Sequence, residues 1–228
     1  MILRTFILTL EPEYPLLFSL GELRSFLNKE LAEFMALPRT DTPGFIHRYP
    51  VLQAKKVNRD LIVIGVSQGA DCLGQISRDR RTLGAGENTC RITACDLDVR
   101  SEPFGTTDTV TAYEFLTPYL ALNQQHAKQF YSLNGKAQRD AFLQTLLSAH
   151  LATLAKSLDC RITTPVSCET KLRFKRDRIG NENVMVFRGK FRTNLRIPDY
   201  LGIGRLVSQG YGTITCIRES FDTHAGEL

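Results

Sequence analysis

The 228-residue sequence offers little that could bind a metal or cross a membrane. Its six cysteines, Cys72, Cys90, Cys95, Cys160, Cys168 and Cys216, include no Cys-x-x-Cys pair and no neighbouring histidine. That spacing argues against a metal centre, no cofactor is expected, and in a reducing cytosol the cysteines read as buried thiols. No run approaches the roughly 18 apolar residues of a membrane span. The apolar opening MILRTFILTL carries Arg4 and lacks a small-residue cleavage site, so it reads as a first strand rather than a signal. The expected setting is cytoplasmic, with no membrane partner. Low-complexity tracts are also missing, and with 43% apolar residues the chain reads as ordered. Its length suits one large domain or two of about 100 residues each.

What is present is periodicity. Residues 2–10 suit a strand, and Leu20, Leu23, Leu27, Leu31 and Phe34 recur at the three- and four-residue steps of an amphipathic helix. After the loop PRTDTPG, the segment FIHRYPVLQAKKVNRDLIVIGVS predicts two strands joined by a turn at residues 57–60, the second a continuous buried run. A short helix in GADCLGQISRDRR and a strand in TCRITACDLDV complete a βαββαβ order. That order predicts a ferredoxin-like, RRM-like domain over residues 1–102, an antiparallel four-stranded sheet with two helices on one face. SEPFGTTD reads as a linker.

Residues 109–228 read as a second α+β unit of the same tandem. TVTAYEFLTPYLALN supplies a strand and a turn. A helical region follows, broken near Asn134-Gly135, with Phe142, Leu146, Ala149 and Leu154 along the second helix's apolar face. Strands are expected at 159–165, 169–177 and 183–195, the last two forming a long hairpin, before a glycine-rich segment and a final strand.

Charge concentrates in that hairpin. From Glu169 to Arg196 nine Lys or Arg residues stand against three acids, a local field that attracts phosphate-bearing ligands. Two-residue alternation puts Arg188, Lys190 and Arg192 on one face and Phe187 and Phe191 on the other. Such a strand holds the core with its rings and offers cations to an RNA backbone. The segment LGIGRLVSQGYGTI then clusters Gly202, Gly204, Gly210 and Gly212. Glycines so grouped mark backbone at positive φ or in close approach to a turn, a neighbour or a phosphate.

Four pieces, in order, carry a resemblance: RYPVLQAKK with LIVIGVSQGAD, then YEFLTPYLALNQQHAKQFY, then FRGKFRTNLRIPDYLGIGRLVSQGYGTI. Together they make the chain similar to the CRISPR-associated repeat-processing endoribonucleases, RAMP-type nucleases that cut precursor CRISPR RNA. The subgroup with short N- and C-terminal domains fits best. The resemblance implies metal-independent cleavage within the repeat: a ribose 2′-hydroxyl attacks its own 3′-phosphate, leaving a 2′,3′-cyclic phosphate and a 5′-hydroxyl. Such chemistry needs in-line positioning, two proton-transfer roles and a cation for the phosphorane.

Carried onto this sequence, the resemblance singles out His47 among His47, His126, His150 and His224, with Tyr49, Lys55 and Lys56 beside it as the other candidate catalytic residues. It departs from the subgroup's pattern in ALPRTDTPGFI, which lacks the histidines common there. Candidate RNA contacts are Arg24, Lys29 and Arg48; Lys171, Arg173, Lys175, Arg188, Lys190 and Arg192 of the hairpin; and Gly202, Gly204, Arg205, Gly210 and Gly212. The expected partner is CRISPR repeat RNA. A larger CRISPR effector complex and a homodimer stay open, and the alternative function is a non-catalytic repeat-RNA binding protein that retains the guide.

Overall fold

The computed structural model describes residues 1–14, 49–50, 52–67, 69–70, 73, 82–85, 88–179 and 181–218, the side chains at 82–90 excepted. The helix expected over 15–35, the loop after it and most of the short helix at 69–81 lie outside these residues. The first unit contains β1 (Ile2–Pro12), β2 (Leu52–Val57), β3 (Asp60–Val66), β4 (Thr82–Ala85) and β5 (Asn88–Pro103), in the sheet order β2-β3-β1-β5-β4. The predicted hairpin is there: Val57 pairs Asp60 across Asn58-Arg59, and Asn58 takes the left-handed φ of 56° that asparagine tolerates in tight turns.

The second unit contains β6 (Gly105–Phe115), α1 (Gln124–Ser132), α2 (Lys136–Ser157), β7 (Cys168–Ile179), β8 (Glu182–Arg196) and β9 (Ile214–Cys216), in the order β7-β8-β6-β9. Leaving β4 aside, both sheets share one order, second-third-first-fourth, and every pairing is antiparallel. The chain is therefore α+β, a tandem of ferredoxin-like sheets. One substitution of parts distinguishes the second unit. Where its second helix would connect β8 to β9, it has the glycine-rich segment with a single 3₁₀ turn at Val207–Gln209.

Three expectations need correction. β4 adds a fifth strand to the first sheet. The strand expected at 159–165 forms no ladder: Pro165 has no N–H, and the segment is instead tied to β8 through Asn194, which donates to the Pro165 carbonyl and accepts from the Ser167 N–H. Residues 101–108, read as a linker, extend β5 and β6, with the buried Phe104 between them. Among the described thiols Cys160 is buried, while Cys95 is exposed.

The helix break falls as predicted. The Asn123 side chain caps α1 by accepting from the His126 N–H at 2.7 Å, and Gly135, at φ 89°, opens α2. The buried stripe of α2 is Leu143, Leu146, Leu147, Leu151 and Leu154; Ala149 is exposed and Phe142 half-buried, a shift of the expected face by part of a turn.

Alternation on β1 feeds two cores. Phe6, Leu8 and Leu10 join Ala54, Leu61 and Val63 on one face of the first sheet. Leu3, Ile7, Ile62, Ile64 and Val66 turn the other way, into a cluster that continues through Tyr113, Phe115, Phe187 and Phe191 of the second unit and Leu201 and Ile203 of the glycine-rich segment. The two units thus share one core. Burying Leu201 and Ile203 there contributes about 1.5–3 kcal/mol each.

Candidate functional site

The glycine-rich segment docks on β2 at Gly202. The Tyr49 hydroxyl donates to the Gly202 carbonyl at 2.9 Å and accepts from its N–H at 3.0 Å, and Gln53 Oε1 accepts from the same N–H at 3.2 Å. Gln53 is oriented by donating to the Pro50 carbonyl. A Cβ at Gly202 would run into the Val207 side chain and come within 3.1 Å of both Gln53 Oε1 and Lys55 Nζ. Glycine is thus required here for close approach.

Lys55 follows Gln53 by two residues on the same face of β2 and is fully buried, its Nζ without a hydrogen-bond partner among the described residues. Burial pulls its ammonium down to about 7, so much of it is neutral near neutral pH. Burial also pushes the Tyr49 phenol well above its ordinary range, against smaller opposing effects of Gln53 and the Gly202 backbone. The phenol is protonated near neutral pH and donates to the Gly202 carbonyl. Lys56 is exposed, on the opposite face of the strand from Lys55. The structure brings Tyr49 and Lys55 together at Gly202 and leaves Lys56 out, while His47 lies outside the described residues.

Three of the four glycine N–H groups of the loop are engaged within the protein. Those of Gly202, Gly210 and Gly212 donate respectively to Tyr49 and Gln53, to the Val207 carbonyl and to the Pro118 carbonyl. Gly204, at φ 90°, lies against the Tyr119 ring, where a Cβ would come within 2.6 Å. Arg205 is exposed, its backbone N–H donating to the Leu120 carbonyl and its guanidinium to the Leu122 carbonyl at 2.7 Å.

The cations of the hairpin do share a face. Arg188, Lys190 and Arg192 are exposed while Phe187 and Phe191 are buried. The ladder sets Arg173 opposite Arg188, Lys171 opposite Lys190 and Glu169 opposite Arg192. Lys175 continues the β7 row by alternation, and Glu114 of β6 lies opposite Lys190 on the other side. Like charges facing each other across a ladder are unfavourable without a counter-ion, and their field attracts anions. Lys171, Lys190 and Arg192, with Glu169 and residues 110–112, line an open groove of about 970 Å³. Arg24, Lys29 and Arg48 lie outside the described residues.

One feature escaped the sequence reading. Gln53 grips Gly202, and stepping back two residues from Lys55 would have found it. His150 on α2 pairs its Nδ1 with the buried Tyr119 hydroxyl at 2.7 Å. Burial first, and then the charges of His126 and Arg205, pull its imidazole down to about 4. It is neutral near pH 7 and acts as a core hydrogen-bond partner. His126 sets its ring edge-on to Phe142 at 6.1 Å.

Comparison with known proteins agrees with this layout. The models of the Cas6b N-terminal domain and the Cas6b C-terminal domain match residues 1–103 and 105–217. A crystal structure of Cas6b aligns with a TM-score of 0.80 at 27% identity, covering 95% of this chain and 100% of that one. A second, of the CRISPR RNA processing endoribonuclease Cas6b, aligns at 0.73 with the same identity and coverage. An uncharacterized protein of Methanocaldococcus jannaschii is 27% identical over 153 residues, 64% of this chain and 100% of that protein.

Proposed function

Because this chain belongs to the Cas6b family, we propose that it is an endoribonuclease that cuts precursor CRISPR RNA within the repeat, without a metal, leaving a 2′,3′-cyclic phosphate and a 5′-hydroxyl. The observation that carries the reading is the docking of Tyr49, two residues after His47, onto the glycine-rich segment, whose preceding strand β8 carries one of the cation rows. Two residues of chain keep the Cα atoms of His47 and Tyr49 within about 7 Å of each other. In the proposed reaction the 2′-oxygen gives its proton to a base and bonds to phosphorus. The P–O5′ bond then breaks, and the 5′-oxygen takes up a proton.

Imidazole suits both transfers near neutral pH, and His47 is assigned them. Tyr49, its hydroxyl bonded to both the carbonyl and the N–H of Gly202, fixes that segment against the glycine-rich loop. Lys56 is the one of the two lysines that a phosphate can reach, since Lys55 is enclosed in the seam. The cation rows of β7 and β8 hold the RNA backbone through salt-dependent contacts. A second reading, a repeat-RNA binder that retains its guide, is favoured by one observation. Tyr49 and Lys55 are both committed to the seam, which leaves His47 alone for proton transfer.

End-labelled repeat RNA from the host's own array, incubated in excess EDTA, decides between them. Cleavage is expected to persist in EDTA, to vanish with a 2′-deoxy sugar at the cut, and to fall about 10²–10⁴-fold in His47→Ala with binding retained. Tight binding without cleavage by the wild type would establish the guide-retaining reading instead.

A further inference from the structure

Away from the cation rows, on the helix-covered side of the same hairpin, two large rings are left in solvent. Phe174 of β7 is 54% exposed and Tyr131 of α1 is 57% exposed. Single exposed apolar residues are common, but these two flank one buried ring. Phe130 lies edge-on to both, at 6.2 Å from Phe174 and 6.3 Å from Tyr131, and is itself anchored on Phe187 at 5.8 Å. The two rings are thus held by a rigid aromatic centre rather than by mobile loops.

Their surroundings are basic. Alternation along β7 puts Arg176 and Arg178 on the Phe174 side of the strand, and neither guanidinium has an ion-pair partner among the described residues. The Arg139 guanidinium lies 5.5 Å over the Phe130 ring, its Nε buried and without a hydrogen-bond partner among the described residues. Lys128 and Lys136 are exposed on the helices, and Asp140 beside Arg139 is the acid among them. Exposed rings interleaved with unpaired cations are what single-stranded nucleic acid needs, since stacking is sequence-tolerant and the cations track the backbone. An apolar protein partner would have no use for the arginines.

We propose that the surface formed by Phe174, Tyr131, Arg176 and Arg178 is a second RNA site, which stacks unpaired nucleotides flanking the repeat while the opposite face of the hairpin holds the repeat itself. The inference rests on the repeat-RNA reading above and adds a separate site to it.

The test is fluorescence-anisotropy titration of uncleavable repeat RNA, with and without a short oligoadenylate tail at its 5′ or its 3′ end. A tail at one end is expected to tighten binding to the wild type. Phe174→Ala and Tyr131→Ala should each weaken binding of the tailed RNA about 10-fold and leave the untailed RNA unchanged. Phe174→Tyr and Tyr131→Phe, which keep the rings, should behave as wild type. Equal binding of tailed RNA by the alanine variants and the wild type would overturn the site alone. So would an equal loss for both RNAs, which would mean a structural role, or a wild-type dimer in light scattering that the alanine variants dissociate, which would mean that the surface seats a second copy. A wild type that binds neither RNA would overturn the repeat-RNA reading and this site with it.

Discussion

With β4 left aside, the two sheets have the same strand order and present opposite kinds of surface. In the first, β3 reads LIVIGV after Asp60 and is buried on both faces, between the core of its own unit and the core shared with the second. In the second, β8 reads MVFRGKFRTNLR, with rings buried on one face and cations exposed on the other. One topology therefore serves once as a spine and once as a platform. What decides is whether alternate positions are apolar on both faces or on one. The comparison can be broken from either side: a change in the spine should cost stability, and a change on the platform should cost RNA binding alone.

The largest effect is expected where the spine meets the glycine-rich segment. Gly202→Val would drive a branched side chain into Val207, Gln53 and Lys55 and separate Tyr49 from the Gly202 backbone. Overpacking of this kind costs about 1–3 kcal/mol, and two disrupted hydrogen bonds add about 1 kcal/mol each. Chemical denaturation should show that loss, and cleavage should fall with it. A variant of wild-type stability would show that the seam is a loose contact and that the units are independent.

Lys55→Met should have the opposite sign. The folded protein holds this lysine at about 7, against 10.5 for the free side chain. Between those values the unfolded chain binds the proton that the folded chain does not, so this group makes stability rise with pH across that window. Below about pH 7 the full cost of burying the charge remains. Methionine fits the same space without a charge and should raise stability at pH 7 by roughly 1–3 kcal/mol, with the advantage narrowing toward pH 10. Parallel stability–pH curves for the two proteins would mean that the ammonium is charged and partnered in the seam.

How much of this the sequence disclosed depended on range. The hairpin turn at Asn58-Arg59, the helix break at Asn134-Gly135 and the split of Phe187 and Phe191 from Arg188, Lys190 and Arg192 are local patterns, and each is found where periodicity and turn chemistry place it. β4 was too short and glycine-rich to show a period. The burial of Lys55 was illegible for a different reason: it needs Gly202 to close over β2, a contact whose Tyr49–Gly202 bond joins residues 153 apart in the chain. A lysine in a strand reads as exposed until its partner surface is known. The glycine cluster itself was visible, and what the fold adds is the close packing of Gly202, Gly204 and Gly212 against β2, Tyr119 and Ile203.

The smallest stability effect and the clearest separation belong to the platform. Lys190 and Arg192 are exposed, lie opposite Lys171 and Glu169 on β7, and make no ion pair among the described residues. Replacing either by alanine removes solvated charge from a strand still anchored by Phe187 and Phe191, so the free energy of unfolding should change by less than about 0.5 kcal/mol. Repeat-RNA binding should weaken by about 1 kcal/mol for each change, and the slope of log K against log salt should fall by about one phosphate contact. Each cation stands opposite an acid on one side, Lys190 opposite Glu114 and Arg192 opposite Glu169, so the loss of either leaves an acid in the RNA path and the two substitutions should weaken binding alike. A larger loss for Lys190→Ala would mean that the RNA runs nearer the tip of the hairpin, a larger loss for Arg192→Ala that it runs nearer the base, and an unchanged salt slope in both would take this face out of the RNA path altogether.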